Sequence, residues 1–124
     1  MTEIFMFNIS GKKAIEIKNI CRALNIDYRE IDKSEYSRKL SYILKISDDS
    51  SKGETGDIND EMLYLIGFND SLLNIFLKLI RAKKCTVALK AVMTETNVNY
   101  TPYELYKEIS AEHRAMQSGE QFHS

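Results

Sequence analysis

Glu61-Met62-Leu63-Tyr64-Leu65-Ile66-Gly67-Phe68-Asn69-Asp70-Ser71, followed by a leucine-rich helical pattern and then by Thr86-Val87-Ala88-Leu89-Lys90-Ala91-Val92, is the stretch on which the reading of the fold turns. Met62, Leu63, Tyr64, Leu65 and Ile66 form an unbroken apolar run that Gly67 ends, the pattern of a strand buried on both faces. Asn69, Asp70 and Ser71 offer side-chain oxygens to cap a helix. Leu72, Leu73, Ile75, Phe76, Leu77, Leu79 and Ile80 then crowd that helix almost all round, which predicts that other parts of the chain cover it on every side. Arg81, Lys83 and Lys84 meet the negative end of its dipole, and an apolar strand resumes at Thr86. The whole reads as a βαβ unit.

The chain has 124 residues, which sets the expectation of one domain over residues 1–116. With 44% hydrophobic and 28% charged residues and a net charge of −1, composition is that of a globular protein with no bulk attraction for nucleic acid or membranes. No apolar run approaches the roughly 20 residues that span a bilayer. Cys21 and Cys85 form no C-x-x-C motif, and the chain opens on Thr2 and Glu3 with no basic, apolar leader pattern, so a reduced, cytoplasmic protein is expected.

Ahead of the central stretch, Ile4, Phe5, Met6 and Phe7 read as a first strand that Asn8, Ile9, Ser10 and Gly11 lead into a helix cap. Ala14, Ile17, Ile20, Cys21 and Leu24 trace the buried face of that helix. Asn25 suits a left-handed stop, and residues 26–31 alternate as a half-buried strand does. Ser34 is expected to cap a further helix with Tyr36, Leu40, Ile43 and Leu44 on one face. Residues 47–60 carry one core-forming position, Ile58, and are expected to be a mobile acidic loop. Thr101-Pro102-Tyr103-Glu104 is a capping box with proline at the first helical position, opening a last helix whose face holds Leu105, Ile109, His113 and Met116. Residues 117–124 are expected to fray.

This order of elements predicts an α/β protein with a mostly parallel four-stranded sheet, strand order 2-1-3-4, and helices on both faces. The rival is a ferredoxin-like α+β arrangement.

Leu89-Lys90-Ala91-Val92-Met93-Thr94-Glu95-Thr96-Asn97, with Tyr100, Thr101 and the later Glu112-His113, resembles the C-terminal signature of the bacterial domain of unknown function 3783. The Met-Leu-x-x-x-Gly-Phe run from Met62 to Phe68 is similar as well, and the first βαβ segment more loosely so. The chain departs from that pattern at Met93, Glu95 and Tyr100, where the family carries Leu, Pro and Trp. The resemblance implies small intracellular bacterial proteins with no established activity, and hence no mechanism.

In a sheet of this order ligands bind where the strand order reverses, between strands one and three. That reading brings Asn8, Ser10 and Gly11 opposite Gly67, Phe68 and Asn69, with two helix N-termini converging on a phosphate or carboxylate. The same residues also serve as plain caps and a packing glycine. Lys90 breaks an apolar strand with a charge. On an edge strand this discourages sheet association, or it places a cation beside Thr94, Thr96 and Asn97 to hold a small anion. His113 has no Cys near it in sequence and no convincingly placed orienting carboxylate, though the fold could bring one to it, and neither the cysteines nor the histidines have metal-ligand spacing. No cofactor is implied, and the fold signal is more complete than the catalytic one. The expectation is a cytoplasmic binding or regulatory module for a small anionic ligand or a protein partner. An enzyme using Lys90 and the helix N-termini, or an assembly subunit, are the alternatives.

Overall fold

The computed structural model describes the backbone of residues 2–123 and the side chains of residues 2–116. The tail expected to fray, residues 117–124, therefore lies outside the described side chains. In chain order the elements are β1 (Glu3–Phe7), α1 (Gly11–Ala23), β2 (Asp27–Glu30), α2 (Leu40–Ile43), β3 (Met62–Ile66), α3 (Asp70–Ala82), β4 (Leu89–Val92) and α4 (Pro102–His123), with 3-10 turns at Lys33–Glu35 and Asn97–Asn99. They fall into two compact units, Met1–Ile31 with Asn59–Met93, and Asp32–Ile58 with Thr94–Ser124.

The first unit holds the sheet, in the order β2-β1-β3-β4. β1 pairs parallel with β2 and β3 parallel with β4, as expected of two βαβ units. The central pair differs: β1 and β3 are antiparallel, with Glu3 opposite Ile66 and Phe7 opposite Met62. A parallel pair would need a crossover between β2 and β3, which the helix expected to start at Ser34 was to supply. That helix does not form as one piece. Asp32, not Ser34, is the cap, its Oδ2 accepting from the Ser34 amide at 3.0 Å, and it starts only the short turn at Lys33–Glu35. Extended backbone at Lys39 (φ −62°, ψ 143°) then separates this turn from the single turn of α2.

The two βαβ halves are copies in backbone. β3 and α3 each lie 59 residues after β1 and α1. Left-handed residues recur in step, Asn8 (φ 59°) with Gly67 (φ 74°) and Asn25 (φ 56°) with Lys84 (φ 56°). So does the bond that closes each helix, Ile26 N to Cys21 O at 2.8 Å and Cys85 N to Ile80 O at 3.0 Å. Thr86, Val87 and Ala88 are extra in the second half, which delays β4 relative to β2. Phe5 and Tyr64, equivalent positions in the two copies, face each other in the ladder with ring centroids 6.2 Å apart. An approximate twofold axis normal to the sheet thus passes between them.

That axis carries α1 onto α3 on the same face. Ile4 and Met6 of β1 and Leu63 and Leu65 of β3 form one cluster with Ala14, Ile17, Ile20 and Cys21 of α1 and Phe76 and Ile80 of α3. The alternate residues Phe5, Phe7, Met62, Tyr64 and Ile66 are buried too, so both faces of the two central strands are dry. The α3 helix is less covered than its composition predicts. Only Phe76 and Ile80 are buried, Leu72, Leu73, Leu77 and Leu79 are partly so, and Ile75 is 47% exposed. A helix lying on one face of a sheet can bury only one stripe, whatever its outer residues are.

In the second unit the expected capping box forms: the Glu104 carboxylate accepts from the Thr101 amide at 2.8 Å, and Thr101 Oγ1 accepts from the Glu104 amide at 3.1 Å. The same hydroxyl donates to the Glu54 carbonyl at 2.6 Å, tethering the acidic loop to the helix start. Lys107 pairs with Glu54 and Lys39 with Asp49, each at 2.7 Å. Gly56 lies against Tyr103 so closely that a Cβ there would sit 2.5 Å from its ring. Leu105 is buried on α4, whereas His113 and Met116 are exposed, so the packed face of that helix is shorter than its periodicity suggests.

Candidate functional site

The antiparallel central pair decides where the expected site residues stand. Asn8 and Ser10 follow the end of β1 that lies opposite Met62, whereas Gly67 and Asn69 follow the end of β3 that lies opposite Glu3. Five residues of strand, on the order of 13–17 Å, separate the two ends. The N-termini of α1 and α3 therefore do not converge, and the four residues form no common anion site. Asn69 acts as a cap, its Oδ1 accepting from the Leu72 amide at 2.8 Å, while Ser10 occupies the cap position of α1 without a side-chain bond. Asn8 and Gly67 supply the left-handed turns out of the two strands.

Thr94 and Asn97 satisfy each other. Asn97 Oδ1 accepts from the Thr94 amide at 2.8 Å and Thr94 Oγ1 accepts from the Asn97 amide at 2.9 Å, a reciprocal lock on the turn before Asn97–Asn99. Thr96 is exposed at the position preceding that turn. Two polar groups expected to face a ligand are thus engaged in local structure.

Lys90 keeps its interest, with a different neighbour. It pairs with Leu63, and residues in register share a sheet face, so its side chain emerges on the face that carries α3. Its Nζ donates to the Val87 carbonyl at 2.7 Å. Burial, then the nearby Arg81 guanidinium, hold its ammonium below the usual lysine range. A lysine whose charge is disfavoured by burial and by a neighbouring cation marks a place where an anion would be welcome. Val92, in register with Leu65, emerges on the same face and is 42% exposed. One and two turns before Arg81 on the same row of α3 stand Leu77 and Leu73, half-buried.

The charge around this place is lopsided. Residues 71–94 contain Lys78, Arg81, Lys83, Lys84 and Lys90 and no Asp or Glu, so this stretch carries +5 in a chain of net −1. All five are exposed, and none makes an ion pair with a described residue. Three of the four cations of α1, by contrast, are engaged: Lys13 binds Glu61 at 2.6 Å, Lys18 binds Glu30 at 3.1 Å, and Arg22 bonds the Tyr28 hydroxyl at 2.9 Å. Sequence reasoning found Lys90 and read Arg81, Lys83 and Lys84 only as complements of the helix dipole. The absence of any acid across 24 residues was the signal that could have joined them.

Other features offer less. An open cleft of about 400 Å³ is lined by Glu54, Tyr100, Glu104, Lys107 and Glu108, but Glu104 serves the cap and Glu54 serves Lys107. Cys85 is buried at 2% exposure, and burial raises its thiol as it raises that of Cys21, pushed up to about 12. Neither is a nucleophile. Among the described residues no three His, Cys, Asp or Glu side chains gather as a metal site, and no helix is long and apolar enough to cross a membrane.

Fold and surface define an α/β protein with an open four-stranded sheet of order 2-1-3-4, two parallel pairs joined by one antiparallel pair, and on its second half a run of five exposed cations that make no ion pair with a described residue. Residues 61–116 match the model of a family described as a domain of unknown function, DUF3783, and that segment of the chain is similar to the family. The match begins at the second βαβ half and does not include the first. No curated protein and no solved structure matches the chain.

Proposed function

We propose that this protein is a binding or regulatory module that takes an anionic ligand or partner on the surface formed by the end of α3 and by β4. The observation that carries this is the run of five exposed cations in residues 71–94 that make no ion pair with a described residue, among them Lys90, whose ammonium lies near the Arg81 guanidinium. Holding like charges together costs free energy that an anion recovers on binding. The enzyme alternative rested on helix N-termini working with Lys90, and their separation at opposite ends of the sheet removes its geometric support.

Calorimetric titration with inorganic polyphosphate tests the reading. Binding at low salt should weaken steeply as salt rises, because exposed charges are screened over about 8–10 Å at physiological ionic strength. The double variant Arg81→Ala with Lys90→Met should bind about tenfold or more weakly, a difference of about 1.4 kcal/mol. No binding by the wild type at low salt, or unchanged binding by the variant, would overturn it.

A further inference from the structure

The cations around Arg81 do not stand alone, and their neighbours point to a kind of partner. Val92 is 42% exposed on the face of the sheet that carries α3, beside Lys90 in the same short strand. Leu73 and Leu77 lead up to Arg81 along one row of α3 and are only partly buried against the core. Helix row and strand therefore present apolar positions toward one end of this surface and Arg81 and Lys90 toward the other. We propose that this surface docks an acidic, amphipathic segment of another protein, its apolar side chains against Leu73, Leu77 and Val92 and its carboxylates on Arg81 and Lys90.

The inference rests on the anionic-partner reading above and goes further in naming the partner. Charge complementarity supplies the attraction, and the apolar positions set the choice between polyanions. A phosphate backbone gains nothing from Val92 or Leu77, and exposed aromatic rings of the kind that stack nucleic-acid bases do not accompany the cations in residues 71–94. A long polyanion would also meet the rest of the chain, which carries a net −6 once the +5 of residues 71–94 is set apart. A short acidic segment fits within the patch. Guanidinium is the better carboxylate partner, because its planar fork donates to both oxygens at once, which gives Arg81 the central role.

Fluorescence anisotropy with three labelled probes tests this: a synthetic peptide repeating Leu and Glu at helical spacing, an oligo-glutamate of equal charge, and a DNA duplex. The Leu-Glu peptide should bind about tenfold or more tightly than oligo-glutamate. Arg81→Ala should weaken both peptides, whereas the isosteric Val92→Thr should weaken only the Leu-Glu peptide. Equal binding of the two peptides, or a duplex that binds more tightly than either, would overturn the amphipathic partner and leave the anionic reading standing. If none of the three binds and polyphosphate also fails, the anionic reading itself falls. Concentration-dependent dimerisation in sedimentation that disappears in Arg81→Ala would replace the foreign partner with a second copy of this chain.

Discussion

Thr101 uses one hydroxyl twice, accepting from the Glu104 amide and donating to the Glu54 carbonyl, and it is fully buried while doing so. Thr101→Ala removes a cap and leaves a loop carbonyl without its donor, so it should lower stability by about 1–3 kcal/mol in urea denaturation. Thr101→Ser keeps both bonds and should recover most of that. A destabilisation of Thr101→Ala below a few tenths of a kcal/mol would mean the hydroxyl holds neither. The cap was legible in sequence because its partners lie three residues apart. The tether was not, because it ends on a backbone carbonyl 47 residues away, and any residue type presents one. Lys90 follows the same rule in reverse. A charge in an apolar strand is visible, whereas its neighbour Arg81 depends on the register that places Lys90 on the α3 face.

At the scale of elements, α3 shows what composition hides. Its leucines suggested burial all round, yet only the stripe through Phe76 and Ile80 is dry. Phe76→Ala should therefore cost about 3–5 kcal/mol, the usual penalty for emptying a fully buried aromatic site, and Ile75→Ala under about 1. Similar costs for the two would contradict the orientation of the helix. The acidic loop gives a test in pH. Hydrogen bonds from the Lys39 side chain, and then from Ser51, hold the Asp49 carboxyl well below its ordinary value of 3.8. A carboxyl depressed by folding contributes stability above its unfolded value and loses it as pH falls through the folded one. The Ser51 amide, which donates to Asp49 Oδ1 at 3.0 Å, should stay protected near neutrality and lose protection only at strongly acid pH. At the other end of the loop Glu54 raises Lys107, whose contribution is present below its ordinary 10.5 and lost as pH rises through the raised value. Hydrogen exchange across pH reads the acid limb, and Lys39→Met should move loss of Ser51 protection toward neutrality.

For the whole molecule, strand order and the pairing of each βαβ unit could be read from the chain, because alternating apolar runs and helix periods are local. The direction of the central pair could not. It depends on the connection at residues 32–61, where the turn that Asp32 caps ends at Glu35 and extended backbone at Lys39 interrupts the expected helix, and nothing local to β1 or β3 records it. The duplication was hidden for a related reason. Over β1 and α1 against β3 and α3, only Arg22 with Arg81 and Ala23 with Ala82 are identical, while the backbone repeats its turns and caps in step. This arrangement separates the two helix N-termini and leaves the cationic surface to the second half alone. The most direct test is nuclear Overhauser contact between α-protons across the two central strands. Antiparallel pairs bring Cα atoms within about 4.5 Å at alternate positions, so strong α-proton contacts should appear along the register from Glu3 with Ile66 to Phe7 with Met62. Contacts that instead link Glu3 with Met62 and Phe7 with Ile66 would restore a parallel sheet, bring the helix N-termini back together and contradict the account.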